Sequence, residues 1–259
     1  MIELQRQPRT DARKKFRGFK SERSKAARQC LVEENKAVRQ MINIYEAMGD
    51  PGSWVSYNDG IKDVARRVAD MNYELADLEK FNSILQVFQE QEWFELKAGL
   101  LLSALINHCP AKEITIHTDH LSRLINNFGF ENTKKVTVEG SLGTNTGEAM
   151  QRGEIAVHGH VSRHLGTAME GGKIEVFGYA DDYVGVRMQG GRIIVHKDAR
   201  DRIGTGMEGG MIVVHGDARD VGVSMLGGVI HVNGACEISS SHPPVHGKII
   251  QRGVVRFEG

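Results

Sequence analysis

Eleven histidines, three cysteines and a run of aspartates are the residues in this chain that could do chemistry. Two histidine pairs have ligand-like spacing, His117-x-x-His120 and His242-x-x-x-His246, but neither has an obvious third ligand in a fixed register, and a lone pair is weak support for a metal. His158, His196 and His215 occupy the outward position of a recurring V-x-G phrase, a column shared with Glu139, Phe177 and Asn233, as expected of a solvated face. Asp181-Asp182, Asp201 and Asp220 recur at one corner of the repeat, and the intervening Arg163, Arg202 and Arg219 point to a surface charge ladder rather than a general-acid pair. Cys30, Cys109 and Cys236 are far apart with no CxxC, which reads as packed thiols. No G-x-S-x-G elbow, H-E-x-x-H, Walker loop or cysteine-nucleophile context occurs. The sequence therefore assigns no catalytic, cofactor-binding or metal residue, and it predicts no turnover for the chain by itself.

The elements that would position such residues are legible in the glycines, which number 30 against 5 prolines in 259 residues. The phrase G-x-x-M-x-G-G-x-I-x-V returns five times. Its first glycine falls at Gly147, Gly166, Gly185, Gly204 and Gly222, three steps of 19 and one of 18, with Met150, Met169, Met188, Met207 and Met225 in phase. The turn glycines Gly172, Gly191, Gly210 and Gly228 follow, each leading into a β-branched stretch that alternates with period two. Strands too short to stand alone, repeated with no helix between copies, bury their apolar side only by stacking coil on coil. A phosphate-cradling loop is excluded because each glycine pair leads into a strand instead of a helix N-terminus. In the second coil Val161, Leu165, Met169, Ile174 and Val176 should point inward; in the third, Ala180, Val184, Met188, Ile193 and Val195. The V-x-G glycine is replaced once, by Lys197, and the fifth coil is one residue short near Val221. The stack should begin near residue 112, contain an insertion from Leu121 to Thr133, lose its period in CEISSSHPPVHG, and end in one strand, Ile249 to Phe257, over the open end.

Upstream, helical spacing covers Ser24 to Met48, then a stretch from Ile61 to Phe88 with a break near Ala76-Asp77, then Trp93 to His108. The fold class is thus α+β, an N-terminal helical bundle followed by a right-handed parallel β-helix of 19-residue coils. The division is 1–29 as a basic arm, 30–110 as the helical domain and 111–259 as the β-helix. The arm has ten Lys or Arg against Glu3, Asp11 and Glu22, in a chain whose 33 basic and 33 acidic residues balance only when the arm is included. It suits an acidic neighbouring subunit better than nucleic acid, since no nucleic-acid module follows. No apolar run approaches a membrane span and no secretory signal is present, so a cytoplasmic protein is expected.

The segments GTAMEGGKIEVFG, DYVGVRMQGGRIIVHKDA and GTGMEGGMIVVHGDA resemble the glycine-repeat (GXGXG) β-helix family, found as one subunit of formylmethanofuran dehydrogenase and as the C-terminal domain of glutamate synthase. The resemblance covers roughly the last 140 residues. It implies a domain with no catalytic residues and no cofactor, which holds catalytic subunits of a multiprotein complex in place. The methionine signature is closer to the formylmethanofuran dehydrogenase branch and to its bacterial counterpart in the formyltransferase/hydrolase complex. DYVGVRMQGGRIIV is also similar to glutamate synthase, which implies amidotransferase and FMN subunits as partners; a free-standing binding or esterase-like protein is a third reading. Self-association is left open. The outward residues of the sheet turn from charged to apolar, so Ile194, Met211, Val213 and Val229 form the candidate interface, covered by the chain's own helices or C-terminal segment, or by a partner.

Overall fold

A computed structural model describes residues 35–49 and 57–259. The basic arm and the first part of the predicted first helix lie outside the described residues. Among the described residues four α-helices come first: α1 (Lys36–Ala47), α2 (Tyr57–Ala69), α3 (Leu75–Ile84) and α4 (Phe94–His108), with a 3₁₀ turn at Leu85–Phe88. α1 starts where Asn35 accepts the Val38 amide, a side-chain N-cap. The break in the second helical stretch falls earlier than Ala76-Asp77. Glu74 and Asp77 form a capping box that starts a new helix at Leu75, and Tyr73 just before it donates to the Leu105 carbonyl. α4 is buried along most of its length, as its apolar sequence predicts.

The rest is a parallel β-solenoid. Its main sheet has nine strands in the order β1 (Glu113–His117), β2 (Lys135–Glu139), β3 (Glu154–Val157), β4 (Lys173–Val176), β5 (Arg192–Val195), β6 (Met211–Val214), β8 (Leu226–Val232), β10 (His246–Gln251) and β11 (Val254–Glu258). All pairs are parallel except β10 with β11. β7 (Ala218–Val221) and β9 (Cys236–Ile238) form a second ladder, continuing the bridges Leu142↔Val161, Val161↔Ala180 and Ala180↔Ala199. Register follows the repeat, with Val136, Ile155, Ile174, Ile193, Ile212, Ile230 and Ile249 stacked in one inward column. Every residue predicted inward in the second and third coils is buried, and all five repeat methionines are at 0% exposure.

The motif G-x-x-M-x-G-G is explained by contacts between coils. Gly191 has φ +83°, and a Cβ there would lie 2.8 Å from the Met169 Cε and 2.7 Å from the Gly172 carbonyl oxygen. The methionine of one coil thus needs the glycine of the next. Gly172, Gly210 and Gly228 stand in the same relation to the coil before them. The first glycines Gly147, Gly166, Gly185, Gly204 and Gly222 are also at positive φ, each over the Ile Cδ1 of the coil after it.

Lys197 is accounted for by the residue one coil back. Gly178, Gly216 and Gly234 are hemmed in by the side chains of His160, Asp198 and Asp217, which fold over to accept the amides of Tyr179, Asp217 and Ala235. Tyr179 instead stacks on His160, with centroids 3.8 Å apart. Lys197 follows the only one of these four side chains that caps no amide in the next coil.

Two predictions about the C-terminal end are corrected. The period does not end at CEISSSHPPVHG, because β10 pairs in register with β8 and completes another coil. The final segment is a hairpin rather than one strand. Arg252 and Gly253, at φ +49° and +77°, have the positive φ values of a two-residue turn, and β11 returns antiparallel to β10.

Candidate functional site

The outward face of the main sheet is built from two columns of side chains. One runs Glu113, Lys135, Glu154, Lys173, Arg192, Met211, Val229, Lys248; the other runs Thr115, Thr137, Ala156, Glu175, Ile194, Val213, His231, Ile250. In the first half the charges neutralise one another. Lys135 Nζ is 3.1 Å from Glu113, and Lys173 Nζ is 2.9 Å from Glu154 and 2.6 Å from Glu175. Glu175 also meets His196 Nε2 at 2.8 Å. The hydrogen bonds from Lys173, and then His196, hold the Glu175 carboxyl below its ordinary pKa, and those that Lys173 donates to Glu175 and Glu154 hold its ammonium above its own.

In the second half the predicted interface residues come together. Met211 pairs with Val229 and Ile194 with Val213 on adjacent strands, all half-buried against one another. Ile250 and Val255 prolong the row, paired through His231 and across the hairpin. These two escape a reading that takes the C-terminal segment as one strand. The described helices lie away from this face. They dock on the first coil, where Asn82 bonds His117, Gln89 bonds Ser122, Ser103 bonds Asn127 and Gly129, and Lys134 bonds the Cys109 carbonyl. Cover by the described helices is therefore not seen, and the C-terminal segment and a partner stay as the other two expectations. A sequence-local reason exists: the 121–133 insertion supplies buried Ile125 and Phe128, and Ile125 lies against Gly99 of α4.

The column of His158, His196 and His215 is more ordered than a merely solvated face. His158 packs edge-on against Phe177 (4.8 Å), Phe177 stacks on His196 (4.8 Å), and His196 stacks on His215 (5.1 Å). Glu139 at His158 and Asn233 at His215 end the row. The aspartate corner is an ion-pair ladder as expected, with Arg163 at 3.2 Å from Asp182, Arg219 at 3.2 Å from Asp201 and Arg202 at 3.7 Å from Asp220. Arg200 adds links to Asp181, Asp182 and Asp201. An open groove of about 1080 Å³ runs beside it, floored by Ala180, Ala199 and Ala218 and flanked by Tyr179 and Lys197.

His117 and His120 both approach Asp119, at 3.9 and 4.0 Å, and His242 contacts Ser241. Among the described residues no group of three or more His, Cys, Asp or Glu is placed to hold a metal. Cys109 is buried, and burial pushes the Cys236 thiol above its ordinary pKa, the opposite of an activated thiolate. No described helix is long and apolar enough to cross a membrane. A search against protein-family models returns no match for this chain, and a sequence comparison with curated proteins returns none either.

Proposed function

We propose that this chain is a non-catalytic scaffold subunit of a one-carbon enzyme complex of the formylmethanofuran dehydrogenase or formyltransferase/hydrolase kind. The observation that carries the scaffold reading is the sheet face. Its first half is closed off by its own ion pairs, while Ile194, Met211, Val213 and Val229 present an apolar row that the described helices leave uncovered. Such a row on an otherwise charged sheet marks a protein contact. The solenoid interior is filled with side chains from Ile, Val and Met columns, which suits a rigid spacer. The choice of pathway rests on the GXGXG resemblance of the repeat, as does a right-handed winding, the hand of nearly all parallel crossovers within one sheet. In this reading the helices act as one bundle that closes the first coil, and the protein works in the cytoplasm.

Native co-purification followed by mass spectrometry tests the pathway. Pterin-molybdenum and amidohydrolase subunits are the expected partners; glutamine amidotransferase and FMN subunits would assign the chain to the glutamate-synthase-like alternative. The double change Met211→Lys, Val213→Glu tests the face, with an unchanged melting temperature and lost co-purification expected. Unchanged co-purification would show that the catalytic subunits bind elsewhere. Turnover by the isolated chain on the order of 1 per second would overturn the non-catalytic reading.

A further inference from the structure

The two edges of the main sheet are finished in different ways. At β1 the side chain of Asn82, only 2% exposed, accepts from the His117 amide at 2.8 Å and donates to the His117 carbonyl at 2.9 Å. It thus supplies both bonds a neighbouring strand would make to that residue. At the opposite edge, β11 is the last strand, and no further strand among the described residues pairs with it. Its Val254 is 62% exposed and Val255 45%. Gly247 and Gly259 exchange both backbone hydrogen bonds, at 3.0 and 3.2 Å, so the alternation of an antiparallel ladder aims the amide and carbonyl of Glu258 away from β10. Open backbone groups beside exposed valines are a template for another strand.

We propose that β11 pairs antiparallel with β11 of a second copy of this chain about a two-fold axis, joining two solenoids end to end through one continuous sheet. The strand is complementary to itself. With the axis at Phe257, Arg256 of each copy faces Glu258 of the other, giving two opposite-charge cross-strand pairs. Moving the axis to Arg256 would set two guanidiniums against each other. Each side chain has one polar contact within the chain and keeps further polar atoms for the second copy. Arg256 is the extra residue of a bulge, since Ile249 pairs with Phe257 but Ile250 with Val255, and its guanidinium gives one donor to the Gln251 side chain in β10 and keeps the others. Glu258 keeps 64% of its side chain exposed while bonding Lys248.

Sedimentation of the full-length chain across about 1 to 100 µM tests the proposal, a range that brackets micromolar association. Twice the monomer mass is expected at the upper end. Arg256→Glu and Glu258→Arg each turn both pairs repulsive and should weaken association about tenfold, and the double exchange should restore it. Thermal midpoints equal to that of the unaltered chain confirm that the variants are folded. Independently of any variant, the Glu258 amide should exchange more slowly as concentration rises. A monomer throughout the range, a dimer indifferent to both single reversals, or a concentration-independent Glu258 amide would each overturn the proposal.

Discussion

The first and last coils of the solenoid solve the same problem with different means. A stack of parallel strands must end, and each end exposes an edge and a disk of apolar core. At the first coil a whole helical segment is spent on closure, with Asn82 in place of a strand, Gln89 taking the Ser122 and Arg123 amides, and Ile125 and Phe128 buried beneath. At the last coil a two-residue turn and five residues of β11 suffice, with Phe257 laid against Ile249. The first end is a tertiary interface that must hold for the helices to have a fold at all; the last is a light cover whose loss leaves the coils beneath intact. Substitutions at the first end should therefore change stability, and those at the last should change association.

The largest effect is expected at Gly99, in the middle of α4. A Cβ at this position would overlap the carbonyl oxygen of Asn126, whose amide bonds the Glu95 carbonyl as the insertion runs across the helix. Neither group is the end of a flexible side chain, so the insertion must lift away. Gly99→Val should cost about 3 kcal/mol or more, beyond ordinary overpacking, because backbone has to move. Urea denaturation followed by circular dichroism checks this, and the helices should melt before the solenoid. Loss of less than about 1 kcal/mol would mean that helix and insertion are only loosely joined.

Asn82→Ala is the next step down. It removes both side-chain hydrogen bonds to the backbone of His117, for about 1 to 3 kcal/mol together. The matching change at the other edge, Val255→Thr on an exposed strand, should stay within about 0.5 kcal/mol. Equal costs at the two edges, measured by thermal denaturation, would erase the distinction between a tertiary interface and a light cover.

The same contrast governs what is legible in the amino-acid sequence. The coils are readable because one rule is repeated: Met169 under Gly191 is restated at every step, and period alone assigns Ile174, Ile193 and Ile212 to one column. The closure at the first coil occurs once and is made of singular residues. Asn82 reads as an ordinary polar position in a helix, and Gly99 as a weak point in one, until the insertion is placed against them. The aromatic ladder is hidden for another reason. Phe177 and His196 are 19 residues apart, and polarity sorts that column as solvated, whereas stacking depends on ring geometry between coils. The hairpin escapes notice because Arg252-Gly253 lacks the Asn or Asp that usually signals a two-residue turn.

The smallest effect concerns the charged half of the sheet, and its sign follows from two opposite shifts. Glu175 is held below the ordinary carboxylate value by the hydrogen bonds from Lys173 and His196. Its contribution is therefore present above that ordinary value, about 4.3, and is lost as pH falls through the lower folded value. Lys173 is held above the ordinary lysine value by Glu175 and Glu154. Its contribution is fully present below about 10.4 and is lost as pH rises through the higher folded value. Lys173 is 37% exposed, so screening limits the whole network to about 0.2 to 1 kcal/mol. Glu175→Gln should accordingly lower the melting temperature slightly at neutral pH and leave a shallower decline on the acid side than in the unaltered chain. At the apolar half of the same sheet, Val213→Thr has no charge to titrate and should shift the curve without changing its shape. A steeper acid decline in Glu175→Gln would show that Glu175 is stabilised in its neutral form, opposite to the pairing with Lys173.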